Sequence, residues 1–290
     1  MTASPPILVT GASGKTGRKV VAALSERGAV VRAFIRREET APTLLKLGAA
    51  ETALGDLYDD ESLKAALAGC RGVIHICPPM NPDETDIAKR ITDHCLAFGT
   101  EQLILYSVLH PLMEDVPHHN HKLHAERYLV NSGQNYTILQ PSRYMQHLVP
   151  IWHTVQETGM HAMPFSATVK FSVADLNDLA EATAAVATED GHAGATYQLA
   201  GPERLSQTDM AEILSDLTGT AITAQAKSLD RFEADARAGG MPEERLQTML
   251  KMNTHYDAHG LIGNPNVLRW ILGREPTNFK EFVTRDLLAN

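Results

Sequence analysis

The chain has 290 residues, 43% of them hydrophobic and 21% charged, enough for one large domain or for a domain with a smaller appended lobe. Its 26 basic and 35 acidic residues leave a formal net charge of −9, which argues against non-specific binding to nucleic acid or to an anionic membrane surface. Three cysteines, Cys70, Cys77 and Cys95, form no CxxC pair, no apolar run approaches the ~20 residues that span a bilayer, and Met1–Pro6 lacks the regions of a signal peptide; a cytoplasmic protein with free thiols is expected.

The apolar run Ile7–Thr10 stops at Gly11 and reads as a buried strand ending in a turn. A helix follows over Arg18–Leu24, then a strand over Val30–Ile35, a short helix over Thr43–Leu47 and a brief strand over Thr52–Leu54. Glu61–Leu67 reads as helix, Gly72–Cys77 as strand, Asp86–Phe98 as helix, Gln102–Ser107 as strand, His118–Asn131 as helix and Tyr136–Gln140 as strand. Short apolar strands alternating with helices imply βαβ units and a parallel sheet covered on both faces. The expected fold is therefore α/β, a doubly wound parallel sheet of the Rossmann type.

After about Tyr144 the alternation weakens. Asp178–Ala187 and Gln207–Leu217 look helical, and Asp230–Met252 reads as a helical pair broken at Gly239-Gly240-Met241-Pro242. A smaller, mainly helical lobe is expected over 151–290, appended to the α/β domain over 1–150. The two are expected to interleave, with the chain crossing back toward the sheet near Lys170 and Tyr197.

Directly after the first strand stands Thr10-Gly11-Ala12-Ser13-Gly14-Lys15-Thr16-Gly17, a GxxGxxG turn between a strand and a helix. The first glycine permits the tight turn, the second lets backbone approach a pyrophosphate, and the third lets helix and strand pack closely. Exposed N–H groups at the helix start then hold the anion. A loop that merely turns the chain is the competing reading, and the position at the first strand–helix junction weighs against it. The GxxxxGK[ST] spacing of an ATP-type phosphate loop is absent.

The end of the second strand separates NAD from NADP. NAD sites place an Asp or Glu there, on the ribose 2′-hydroxyl; this chain has Arg36 and Arg37. A guanidinium grips a 2′-phosphate with paired, charge-assisted hydrogen bonds, and Lys15 adds a second positive charge. NADP(H) is the expected cofactor, against the alternative that these are solvated surface charges.

The glycine turn, with Gly55-Asp56-Leu57, Tyr106-Ser107-Val108, His121-Lys122 through Glu126, Tyr136-Thr137-Ile138-Leu139-Gln140-Pro141, Tyr144-Met145-Gln146 and Val173-Ala174-Asp175-Leu176, resembles the NmrA-like branch of the atypical short-chain dehydrogenase/reductases over most of residues 7–205. The resemblance implies that Asp56 and Leu57 border the adenine. It implies that Cys77, Pro78 and Pro79 line the nicotinamide side, and that Pro141 walls the pocket where substrate meets cofactor. The family includes quinone, nitro and dye reductases, and also proteins that bind NADP(H) as redox sensors.

Ordinary short-chain dehydrogenases use Ser, Tyr and Lys, the last two as YxxxK. Here Ser107 ends the fifth strand and Lys122 lies in the next helix, but His118 stands where the tyrosine belongs. Helical spacing places His118, Lys122, Ala125, Glu126 and Leu129 on one face, so Lys122 is expected to point at the cofactor; the alternative is an ion pair with Glu126. His118 either replaces the tyrosine as proton donor or is a solvent-exposed histidine. His110 and Tyr144 are candidate substrate contacts. The run of histidines from His118 to His124 is not read as a metal site, because neighbouring rings on one helix diverge and Lys122 repels a cation. The expected partner is a small molecule, with a homodimer possible and no nucleic acid or membrane.

The leading function is transfer of hydride between NADP(H) and a small apolar conjugated or carbonyl compound. The alternatives are a non-catalytic NADP(H) sensor and a redox-neutral enzyme on the same fold.

Overall fold

In the computed structural model, which describes residues 4–289, strands and helices alternate from the first apolar run onward. In chain order they are β1 (Ile7–Val9), α1 (Lys15–Glu26), β2 (Val31–Ile35), α2 (Ala41–Lys46), β3 (Glu51–Leu54), α3 (Asp60–Leu67), β4 (Gly72–His75), α4 (Glu84–Phe98), β5 (Gln102–Tyr106), α5 (Pro117–Asn131) and β6 (Tyr136–Pro141). The remainder holds β7 (Arg143–Tyr144), α6 (Trp152–Thr158), β8 (Met160–Met163), β9 (Phe171–Ala174), α7 (Leu176–Thr188), β10 (Ala195–Leu199), β11 (Glu203–Leu205), α8 (Gln207–Thr218), β12 (Thr223–Ala226), α9 (Leu229–Ala238), α10 (Glu243–His259), α11 (Asn266–Leu272) and α12 (Phe279–Val283). Residues 4–112, 121–140 and 179–197 form one compact unit; residues 113–120, 141–178 and 198–289 form a second.

The first unit is built on a seven-stranded sheet of order β10-β6-β5-β4-β1-β2-β3. The pairings β2–β3, β1–β2, β1–β4, β4–β5 and β5–β6 are parallel. The chain runs outward from β1 to β3, then resumes at β4 on the other side of β1. Such a reversal opens a crevice beyond the carboxyl ends of the strands, where open α/β sheets bind ligands. All residues of β1 and β4 are buried, as a sheet covered on both faces requires. Leu8, Val73, Leu103 and Ile138 share a core with Leu63 and Leu67 of α3, Ile87 and Ile91 of α4, and Leu129 of α5. The expected doubly wound sheet is present, and the chain returns to it near Tyr197 as β10.

The second unit is mainly helical, with two small sheets that the sequence pattern does not reveal. One has the order β11-β9-β7, and the other pairs β8 with β12. Strands of two to four residues are too short to display an alternation. The segment near Lys170 therefore joins a small sheet through β9 rather than the large one. Two of the motif segments meet here: the Gln146 amide donates to Asp175 at 2.9 Å and its oxygen accepts from the Leu176 N–H at 2.9 Å. Arg285 completes the fully buried Asp175 at 2.6 Å. The helical pair breaks between α9 and α10 at the expected glycines, with Gly240 in the left-handed region. Among the described residues no helix is long and apolar enough to cross a membrane.

Candidate active site

The glycine turn lies at the carboxyl end of β1 and passes straight into α1, which begins three residues earlier than its apolar spacing suggests. Gly11 has φ +63°, and a Cβ there would run into the Ile76 carbonyl beyond β4. A Cβ on Gly17 would collide with the Gly11 carbonyl and Ala12. Both glycines are thus demanded by the fold. Gly14 is different: it is exposed, its backbone is extended, and a Cβ would meet only the Gly11 carbonyl oxygen at 3.2 Å. A side chain there would instead fill the space in front of the helix start. Gly14 caps α1 without a side-chain bond, and the first turn holds no acidic residue. The first N–H groups of a helix lack internal acceptors, so this end offers donors and positive potential to an anion. The site fits a pyrophosphate.

Arg36 follows β2 directly and is exposed, with no hydrogen bond or ion pair among the described residues. Arg37 is engaged by Glu39 at 3.3 Å. The two arginines are therefore distinguished by structure, and Arg36 is the one available to a 2′-phosphate. Lys15 is exposed in the first turn of α1. Asp56 and Leu57 follow β3 and are half-buried; Asp56 accepts from the Tyr58 N–H at 3.0 Å, and the Leu57 carbonyl accepts from Arg90 at 2.8 Å.

β4 ends at His75, two residues before the expected Cys77, because the Ile76 N–H turns to the Thr10 hydroxyl at 3.1 Å instead of continuing the ladder. The Thr10 hydroxyl also lies 2.8 Å from His75 Nδ1. His75 is buried, and burial, with the Lys122 charge behind it, pushes its pKa down to about 3. It is a neutral ring at physiological pH, and its Nε2 has no hydrogen-bond partner among the described residues. Cys77 is partly buried, and Pro78 and Pro79 are exposed. Burial, with Glu84 nearby, drives the Cys77 thiol far above its ordinary pKa.

Lys122 is 8% exposed, on the inward face of α5 with Ala125, Glu126 and Leu129, as the helical spacing predicts. Its ammonium donates to Glu84 of α4 at 2.5 Å and to the Tyr106 carbonyl at the end of β5, 3.1 Å away. Glu84, absent from the sequence reading, is itself 3% exposed. Glu126 accepts from the Gln140 amide at 3.0 Å on both oxygens. Burial raises the Glu126 pKa, opposed by Ser107, Gln140 and Lys122. Ser107 is buried just beyond β5, and His110 is half-buried with φ +57°.

The raised Glu126 pKa has a measurable consequence. The folded state binds a proton more tightly than the unfolded state, so stability falls as pH rises through that window. Glu126→Gln is expected to melt higher than the parent near pH 7 and to lose that advantage toward about pH 4. An equal melting difference at both pH values would contradict this.

In the second unit, Pro117 opens α5, so His118 lies in the first helical turn and not in a loop. His118 is half-buried, its ring edge-on to His119 at 6.0 Å. The fully buried histidine is His119, whose Nε2 lies 2.8 Å from the Tyr256 hydroxyl of α10. Pro141 is buried, and Tyr144 stacks on His147 with centroids 5.5 Å apart. Tyr144 and Arg143 line a cleft with His161, Phe165, Phe171 and Gln207. His75, Glu84, Arg143 and Tyr256 escape the sequence reading. The one available signal was a histidine inside the otherwise apolar strand around Ile74.

The NmrA-like family model matches residues 4–286. The chain belongs to the NmrA-like family. It is 27% identical to the NAD(P)H azoreductase of Xenophilus azovorans over 95% of this chain and 96% of that protein. Two solved structures match at 25% identity: the NADPH complex of the quinone oxidoreductase from Escherichia coli, with TM-score 0.86 over 98% of this chain and 100% of that one, and the NADP(H) complex of a Citrobacter sp. triphenylmethane reductase, with TM-score 0.85 over 97% and 100%. The resemblance carried by the glycine turn and its companion segments thus holds across nearly the whole chain.

Proposed function

We propose that this NmrA-like protein is an NADP(H)-dependent oxidoreductase that reduces a small, largely apolar, conjugated or carbonyl compound. The observation that carries this is the exposed Gly14 at an uncapped, acid-free helix start, a glycine that, unlike Gly11 and Gly17, the fold itself does not demand. The relatives support the chemistry: azo, quinone and triphenylmethane compounds are all conjugated hydride acceptors.

In this reading Gly11, Ser13, Gly14, Thr16 and Gly17 hold the pyrophosphate, and Lys15 and Arg36 the 2′-phosphate. Asp56 and Leu57 border the adenine, and Cys77, Pro78 and Pro141 the nicotinamide end. Bound there, NADPH supplies the hydride. Ser107 offers a hydroxyl to an acceptor oxygen. Lys122, fixed by Glu84 and the Tyr106 carbonyl, supplies a positive charge that adds to burial in keeping His75 neutral. His118 is the candidate proton donor, and a conjugated acceptor also takes its proton from water. His110 and Tyr144 are the candidate substrate contacts.

Arg36→Ala tests the cofactor assignment. Loss of hydrogen bonds to a charged group costs about 1.5–3 kcal/mol. NADPH affinity, measured by calorimetry, is therefore expected to fall roughly 10- to 150-fold while NADH affinity stays unchanged. An equal loss for both nucleotides would remove Arg36 from the 2′-phosphate.

Two observations favour a second reading, a non-catalytic NADP(H) sensor: His118 stands where the usual tyrosine belongs, and Lys122 is engaged by Glu84. A sensor requires unequal affinity for NADP⁺ and NADPH or a change of partner binding between them, and no NADPH consumption with quinones, aldehydes, ketones or enones.

A further inference from the structure

Just beyond Pro141 stands a positive charge that no carboxylate among the described residues neutralises. Arg143, in β7, is partly buried, and among the described residues no carboxylate pairs with it. Its neighbours are the faces of Phe165 and Phe171, with ring centroids 5.1 and 5.2 Å from the guanidinium carbon, and the Met163 sulfur at 3.9 Å. Burial pulls its pKa down to about 10, with the Tyr256 phenol opposing, so it remains a cation at neutral pH. Aromatic faces attract a cation, but by less than a guanidinium loses on leaving water.

The cleft that Arg143 lines contains no Asp or Glu. Two further polar side chains in it are left incomplete. His161 and Gln207 are 4% and 3% exposed, yet among the described residues His161 Nδ1 and Gln207 Oε1 have no hydrogen-bond partner. The Gln207 amide nitrogen is engaged by the Phe165 carbonyl at 3.0 Å. His161 is neutral, held near pKa 4 by burial and then by Arg143. A plain core seldom leaves three polar groups in this condition. The remaining walls are mainly aromatic, methionine and aliphatic side chains.

We propose that Arg143 anchors the acid group of an aromatic carboxylate or sulfonate whose ring lies against the Phe and Met walls of this cleft. The inference rests on the reductase reading and narrows it to conjugated acceptors carrying an anionic substituent. The planar fork of arginine matches both oxyanions, and the apolar surroundings strengthen the pairing. The free volume is small, about 30 Å³, so an entering ring displaces Met163 and Met210. Methionine is unbranched and repacks readily.

Calorimetry with benzoate, benzenesulfonate, benzyl alcohol and sodium sulfate tests this on the parent, Arg143→Met and Arg143→Lys. The parent is expected to bind both aromatic acids at least ~10-fold tighter than benzyl alcohol. Arg143→Met loses that preference, and Arg143→Lys keeps part of it, having the charge without the fork. The melting temperature of ligand-free Arg143→Met is expected to equal or exceed the parent's, because an unpaired buried charge is gone. The proposal fails if the acids bind no better than benzyl alcohol, if Arg143→Met leaves the preference intact, or if sulfate binds as tightly as benzenesulfonate. Should Arg143→Met not fold, the parent's ratio of benzoate to benzyl alcohol decides alone. NADPH titration and 1,4-naphthoquinone reduction on the same preparation report separately on the reductase reading, which survives a failure of the acid site.

Discussion

Gly14→Val is expected to abolish nucleotide binding while leaving the fold intact. A Cβ at 14 meets one backbone oxygen at 3.2 Å, a contact that a small shift relieves, and the added bulk stands at the N-cap of α1. A pyrophosphate cannot approach the N–H donors of that helix start, so NADPH affinity drops by at least ~1,000-fold, about 4 kcal/mol. The circular dichroism spectrum and melting temperature stay near those of the parent. Gly17→Val supplies the contrast, because its side chain strikes Gly11 and Ala12 inside the strand–helix junction, and that variant is expected to lose stability as well. Parent-like NADPH binding by Gly14→Val would remove the glycine turn from the cofactor site.

Lys122→Met is expected to cost about 3–5 kcal/mol of stability, measured by urea denaturation, because it strands the Glu84 carboxylate in the interior. The two side chains are only 10% and 4% exposed. The double variant Lys122→Met/Glu84→Gln is expected to recover most of that loss, since a neutral pair carries no desolvation debt. A cost below about 1 kcal/mol, the range of a surface ion pair, would contradict the buried pairing.

The reach of the sequence differs between the two halves. In the first half, the strands β1 to β5, of three to five residues and each followed by a helix, specify a covered parallel sheet. The boundaries shift only where a particular group intervenes, as at Ile76, whose N–H is taken by Thr10. The inward face of α5 was legible from spacing, because Lys122, Ala125, Glu126 and Leu129 obey the helical period. The partner of Lys122 was not legible, since Glu84 is 38 residues away and no local pattern couples them. The same holds for His119 and Tyr256, which lie 137 residues apart. In the second half, β7 to β9 and β11 to β12 are too short to carry a period, and Arg143 looks unremarkable until its neighbours are seen to be rings and sulfur.

The buried thiols have a consequence for the chemistry the protein survives. Quinones and related conjugated acceptors alkylate cysteine, and the attacking species is the thiolate. Burial raises the pKa of Cys70 and Cys77 and carries Cys95 to about 12. At neutral pH roughly one Cys95 in 10⁵ is ionised, against a few per cent for an ordinary thiol. With Cys77 shifted in the same direction, the chain carries sulfur beside its candidate nicotinamide pocket without presenting a nucleophile to electrophiles that pass through it.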